Sequence, residues 1–207
     1  MYYTETADIR IGDATVKLPQ GIEGRIGGAW NNGRFYEAGL LEDVRQVNRA
    51  GTYVDAGMNN GNHTLFFAAC CPSTQVLGFE PYPIYIDRAY ELFQINDAMR
   101  KIRVMSCALG AAPGTVDLHI RNRRTSSPRM RLDDLALTDT AVLKIDVEGM
   151  ERQVLEGAEA TIRDQKPHLY VEIFDQTFDE TAAYIEAFGY KRGRKFGSTP
   201  TYSFIPI

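Results

Sequence analysis

The sequence predicts an α/β fold: a mostly parallel sheet covered by helices on both faces and closed by a C-terminal antiparallel hairpin. Three observations carry this expectation. From about residue 36 onward, short β-rich runs alternate with amphipathic helical stretches, the pattern of a parallel sheet with helices on its faces. One of the strand candidates, Ala141 to Val147, is nearly unbroken apolar sequence, as a strand buried on both faces must be. The chain closes on two extended runs split by Gly197-Ser198-Thr199-Pro200, a hairpin signature.

Each element has its own signal. Glu37 to Ala50 sets Leu40, Leu41, Val44 and Val47 on one helical face. Thr52 to Ala56 is a short β-rich run ending in Asp55-Ala56-Gly57. Asn62 to Cys70 reads as a helix and Gln75 to Phe79 as the next strand. Pro81 to Asp97 spaces Ile86, Ala89, Tyr90 and Phe93 as one buried helical stripe. Ile102 to Ser106 is a third strand, Thr115 to Ile120 a further short one, and Ala141 to Val147 the fourth core strand. Glu151 to Arg163 reads as one helix, His168 to Phe174 as a strand, and Thr177 to Phe188 as a helix opened by the capping box Thr177-x-x-Glu180. Tyr190 to Phe196 and Thr201 to Pro206 form the hairpin, which implies an antiparallel edge. Arg121 to Arg131 is a charged interruption, either a solvated loop or a flap offering cations to an acidic group near the substrate opening.

A length of 207 residues suits one domain. Residues 1–35 carry no usable motif and are expected to pack as an N-terminal extension on a catalytic domain spanning 36–207. Hydrophobic residues at 44% and charged residues at 24% are globular values, which excludes a disordered or coiled-coil chain. A net charge of −4 argues against holding nucleic acid or an anionic membrane by bulk charge. Apolar runs such as Leu65 to Cys71 fall far short of the roughly 20 residues a membrane span needs. Charges at Glu5, Asp8, Arg10 and Asp13 leave no signal-peptide pattern in residues 1–20. Three cysteines, two of them adjacent, suit neither a disulfide framework nor a zinc site, so a reducing cytoplasm is the expected setting.

In an open parallel sheet, ligands bind beyond the carboxyl ends of the strands, near the point where strand order reverses. After the first core strand comes Asp55-Ala56-Gly57-Met58-Asn59-Asn60-Gly61. It is neither a dinucleotide fingerprint nor a P-loop, and an acid at the strand end repels a pyrophosphate. It suits a cationic ligand such as S-adenosylmethionine, or serves only as a structural turn. The second strand ends in Phe79-Glu80-Pro81, with Glu80 19 residues past Gly61. That is near the spacing at which an acid meets ribose hydroxyls. Small residues at Ser106-Cys107-Ala108 would let an adenine ring lie against the backbone, or simply pack in the core. On the fourth strand, side-chain alternation puts Lys144, Asp146 and Glu148 on one face. Three charges on a buried strand are costly unless paired or used. Glu172, ending the fifth strand, would join them. A structural ion pair of Lys144 with an acid is the plain alternative.

Together these segments resemble the FkbM-type S-adenosylmethionine-dependent methyltransferases. The resemblance rests on Tyr53 to Thr64, Gly78-Phe79-Glu80-Pro81, Arg131-Leu132-Asp133-Asp134-Leu135, Leu143-Lys144-Ile145-Asp146-Val147-Glu148-Gly149-Met150-Glu151 and Val171-Glu172. It covers roughly Glu37 to Glu172, and Met58 stands where the family often has Ala. It implies a class I methyltransferase (Rossmann-like) fold of seven strands with the last antiparallel, and O-methylation of a sugar, glycolipid or secondary metabolite. Asp55, Gly57, Asn59 and Gly61 would then hold the amino-acid end of the cofactor and Glu80 its ribose, with Glu37, Pro81 and Ala108 completing its site. Asp146 is the first candidate for acceptor positioning or general base, followed by Glu148 and Glu172. Lys144 would either lower an acceptor pKa or fix a carboxylate. Asp146, Glu148 and Glu172 are also hard oxygen donors that would suit Mg²⁺. The histidines are too scattered for zinc, and His63 is expected to cap or pack its helix. The expected partners are a small-molecule or glycan acceptor and, at most, a second copy of the chain as a homodimer. Two rival classes stand beside this reading: a non-catalytic cofactor-binding assembly partner of the same fold, and an NAD(P)-dependent oxidoreductase, which lacks its glycine fingerprint here.

Overall fold

The computed structural model describes residues 2–120, 123–197 and 200–207. The chain opens with an antiparallel ribbon, β1 (Thr6–Ile11) and β2 (Ala14–Pro19), followed by α1 (Gly24–Asn31) and α2 (Ala38–Val47). Strands and helices then alternate: β3 (Gly51–Ala56), α3 (Asn62–Cys70), β4 (Ser73–Phe79), α4 (Pro83–Ile95) and β5 (Ile102–Met105). A side sheet ordered β6-β8-β7 comes from β6 (Ala108–Leu109), β7 (Gly114–Ile120) and β8 (Arg123–Met130). The chain finishes with β9 (Thr140–Ile145), α5 (Glu151–Glu156), α6 (Glu159–Gln165), β10 (His168–Glu172), α7 (Phe178–Glu186), β11 (Tyr190–Phe196) and β12 (Thr201–Pro206).

The main sheet has seven strands in the order β11-β12-β10-β9-β3-β4-β5. Strands β10, β9, β3, β4 and β5 pair in parallel, and β12 runs antiparallel to both β10 and β11. The reversed strand is therefore not the edge. α7 carries the chain two places beyond β10, and β12 turns back into the gap, leaving β11 outermost and parallel to the rest.

Alternation along the buried strands divides the core. Tyr53, Val142 and Tyr170 face α2, α3 and α4 and join a cluster with Leu40, Leu65 and Phe93. Val54, Leu143 and Leu169 face the other way, packing with Val154, Ile162 and Ile185 of α5, α6 and α7. The N-terminal segment adds Val16, Leu18 and Trp30 to the first cluster. Among the described residues, no helix is long and apolar enough to cross a membrane.

Three local expectations are corrected. The helix read over Glu151 to Arg163 is two helices, because Gly157 packs on the side sheet. A Cβ there would sit 2.0 Å from the Gly110 carbonyl oxygen. The Asp133 carboxylate then opens α6 by accepting the amides of Ala160 and Thr161, each at 2.9 Å. The capping box at Thr177 is not formed, since its hydroxyl donates to the Phe174 carbonyl instead. The arginine segment is strand β8, paired residue by residue with β7, because its backbone polar groups find partners there that a solvated loop would leave to water. Arg121 and Asn122 of that segment, and Ser198 and Thr199 of the hairpin turn, lie outside the described residues.

Candidate active site

The chain runs from β3 through β4 to β5 on one side of the sheet and returns through β9 to β10 on the other. The carboxyl ends of β3 and β9 thus form the switch point where a ligand cleft opens. The Asp146 amide donates to the Ala56 carbonyl at 3.0 Å, extending the ladder one residue past β9. Gly57, with φ +82°, lies across from it, and a Cβ there would fall 1.7 Å from the Asp146 carbonyl oxygen. Gly61, with φ +88°, abuts the Phe93 ring in the same way, at 2.6 Å. Packing against the protein itself, together with the positive φ, requires glycine at both positions.

Lys144 sits at the centre of this end of the sheet, only 1% exposed. Its ammonium lies 3.2 Å from Asp55 Oδ1 and 3.4 Å from Asp146 Oδ2, and donates to the Gly57 carbonyl at 3.2 Å. One hydrogen bond and two ion pairs thus surround the ammonium. Burial works to discharge the ammonium, but the Asp55 and Asp146 carboxylates outweigh it and hold Lys144 above its ordinary value. Thr64 donates to the second Asp55 oxygen at 2.6 Å. Asp55 has no exposed surface, so its carboxylate faces Lys144 and Thr64 rather than the cleft. Of the two roles considered for Lys144, fixing a carboxylate is the one this burial allows.

The carboxylate it fixes toward the cleft is Asp146, whose side chain stays 33% exposed. Glu172, at the end of β10, is hydrogen-bonded to Asp146. Burial first, and then the Asp146 charge, push its carboxyl up to about 8. Of these two neighbouring carboxyls, Glu172 is the one that burial makes harder to ionise. Glu148 is not brought to this group. Strand alternation stops at Ile145, and Glu148 sits exposed in a turn at φ +55°. Glu151 does the work in that turn. Its Oε1 accepts the amides of Val147 at 3.2 Å and Gly149 at 2.9 Å, clamping the segment that follows Asp146. With Glu148 turned out, only Asp146 and Glu172 of the three expected oxygen donors are brought together for Mg²⁺. Among the described residues, no three His, Cys, Asp or Glu side chains are grouped to hold a metal.

Glu80 follows β4. Its two oxygens accept the backbone amides of Asn59 and Tyr82, each at 2.9 Å. Burial pushes its carboxyl up to about 7 against the pull of those amides. Each oxygen keeps a lone pair for a further donor, so two adjacent hydroxyls can be held. Beside it, the buried Asn60 side-chain oxygen has no hydrogen-bond partner among the described residues. This acceptor-rich rim fits ribose hydroxyls and a cationic amino-acid end, as in S-adenosylmethionine. Pro81 and Ala108 are half-buried; Ala108 lies in β6, just beyond Met105, whose carbonyl accepts the Glu80 amide at 3.1 Å.

The N-terminal segment is tied over this end of the sheet by Asn62, the first residue of α3. Its side-chain oxygen accepts Trp30 Nε1 at 2.9 Å and the Tyr36 amide at 3.1 Å, and its Nδ2 donates to the Tyr36 carbonyl at 3.1 Å. Glu37, held at φ +55°, then lies 3.0 Å from His63 Nε2, with both side chains 7% exposed. Its charge also helps hold Lys144 protonated. A cavity of about 700 Å³ opens here between α1, the chain from Arg34 to Leu40 and the Phe196-Gly197 end of β11. Among the described residues, none of β8 lines this cavity. Asn62, Thr64 and Glu151 were given no role in the sequence reading. Each acts on a partner brought close by folding, although all three stand inside the quoted motifs.

Sheet order, switch-point cleft and a ribose-ready acid after the second strand define a class I methyltransferase fold. The methyltransferase FkbM domain matches residues 55–192, and the chain belongs to that family. Methyltransferase sdnD of Sordaria araneosa is 34% identical over 65 residues, covering 31% of this chain and 25% of that protein. The crystal structure of methyltransferase FkbM from Methylobacillus flagellatus superposes with a TM-score of 0.61 at 21% identity, over 76% of this chain and 44% of that one. A Streptococcus mutans protein solved in complex with SAH gives 0.55 at 11% identity, over 80% and 93%. The chain thus spans less than half the length of the first two.

Proposed function

We propose that this protein transfers a methyl group from S-adenosylmethionine to a hydroxyl of a sugar, glycolipid or secondary metabolite. The observation that supports this reading is Asp146: a carboxylate part-exposed at the switch point and held from behind by Lys144 and Glu172. The cofactor supplies an activated methyl on a sulfonium, so the difficult chemistry is its own. Glu80 and the Asn59 to Gly61 loop bind and orient it. Asp146 orients the acceptor hydroxyl in line with the methyl and takes its proton as the new C–O bond forms and the C–S bond breaks. Glu172 supports Asp146 from the side, and Lys144 keeps Asp146 aimed.

Asp146→Asn keeps the shape and removes the charge. It should leave S-adenosylmethionine affinity within a few-fold by calorimetry, while transfer of labelled methyl to a responding acceptor falls by about 10²–10⁴. Wild-type transfer by the variant would sink the assignment.

A further inference from the structure

The 700 Å³ cavity carries two cations with nothing to neutralise them. Arg25 of α1 and Arg34, just before α2, both line it, both are exposed, and neither guanidinium has an ion pair or hydrogen bond among the described residues. Several other arginines, Arg45, Arg131, Arg152 and Arg192, each hold a carboxylate. The acid in the same lining, Glu37, is paired with His63 at 3.0 Å. The local charge is thus positive in a chain whose net charge is −4. The first turn of α2, Ala38 to Leu40, also lines the cavity without a side-chain cap, and its dipole adds in the same sense. Through the Glu37–His63 pair at 3.0 Å, the cavity adjoins the start of α3, immediately after the Asn59 to Gly61 loop.

We propose that the methyl acceptor is an anionic hydroxyl compound, bearing a carboxylate or a phosphate that Arg25 and Arg34 bind while its hydroxyl reaches Asp146. This rests on the methyltransferase reading and names the chemical class of its acceptor. A planar guanidinium recognises both oxyanions by paired N–H donors, so one charge chemistry has two sources, and they are separated by choice of probe. Two arginines held on separate segments, α1 and the Arg34 turn, can grip one group from two sides. The pair also steers anionic acceptors to the mouth of an otherwise acidic protein.

The test uses three matched probes, glucose, glucuronate and glucose 6-phosphate, titrated at low salt into the whole chain with and without S-adenosylhomocysteine. At least one of the two anions should bind about tenfold more tightly than glucose. That preference should weaken with added salt and vanish in the R25Q/R34Q double variant, whose S-adenosylhomocysteine affinity stays at the wild-type value. A preference for glucuronate identifies a carboxylate acceptor, and one for glucose 6-phosphate a phosphorylated one. Equal behaviour of all three probes, including no detectable binding of any, overturns the proposal, as does an anion preference that survives in the double variant. Failure of the methyltransferase reading shows separately, as wild-type protein that does not bind S-adenosylhomocysteine.

Discussion

Removing the Lys144 ammonium is the most direct test of how the active site is built. Lys144→Met keeps the length of the side chain and most of its packing. Asp55, with no exposed surface, is left with the Thr64 hydroxyl at 2.6 Å as its side-chain partner. Breaking a buried pair from one side strands a charge and costs about 3–5 kcal/mol, a large part of the roughly 5–15 kcal/mol that holds a domain together. Asp55→Asn removes the stranded charge. In the Lys144→Met background it should restore a large share of the loss, so the double variant is far more stable than the two single losses added together. Urea unfolding followed by fluorescence suits the assay, because the single tryptophan, Trp30, is fully buried. In Lys144→Met, the buried Asp55 must take up a proton, so that variant should gain stability as pH falls while wild type does not share the gain. A loss below about 1 kcal/mol, or single losses that simply add, would refute the claim that Lys144 is committed to Asp55.

Glu80 makes cofactor affinity depend on pH. Its carboxyl, pushed up to about 7 by burial, must be ionised to accept the ribose hydroxyls. S-adenosylhomocysteine affinity should therefore fall as pH drops through 7 and level off above about 8. Glu80→Gln should weaken binding roughly 10- to 150-fold above that pH and flatten the profile, as read by calorimetry. Glu151→Ala frees the amides of Val147 and Gly149. Hydrogen exchange at those two amides should quicken, with about 1–3 kcal/mol lost from stability and a fall in methyl transfer that exceeds any fall in cofactor affinity.

Strand runs and helix stripes were legible because each is a local pattern: the helix at Asn62–Cys70 and the hairpin strands Tyr190–Phe196 and Thr201–Pro206 stand where composition and spacing place them. The break at Gly157 was not legible, because its cause is the carbonyl of Gly110, a residue far away in the chain. The place of β12 inside the sheet follows from where α7 delivers the chain, and no strand carries a mark of its neighbours.

The same division runs through the site. The sequence by itself determined that charge gathers after the strands, at Asp55, Glu80, Lys144, Asp146 and Glu172, since apolar strands cannot hold such residues without a use. Only the tertiary structure decided how they divide the work. Burial assigns Asp55 to Lys144, partial exposure leaves Asp146 to the cleft, and the end of β9 at Ile145 turns Glu148 away and gives the turn to Glu151. Exposure and partnership depend on what the rest of the chain packs against each residue, and that is set by contacts across many tens of residues rather than by the residue's own neighbours in sequence.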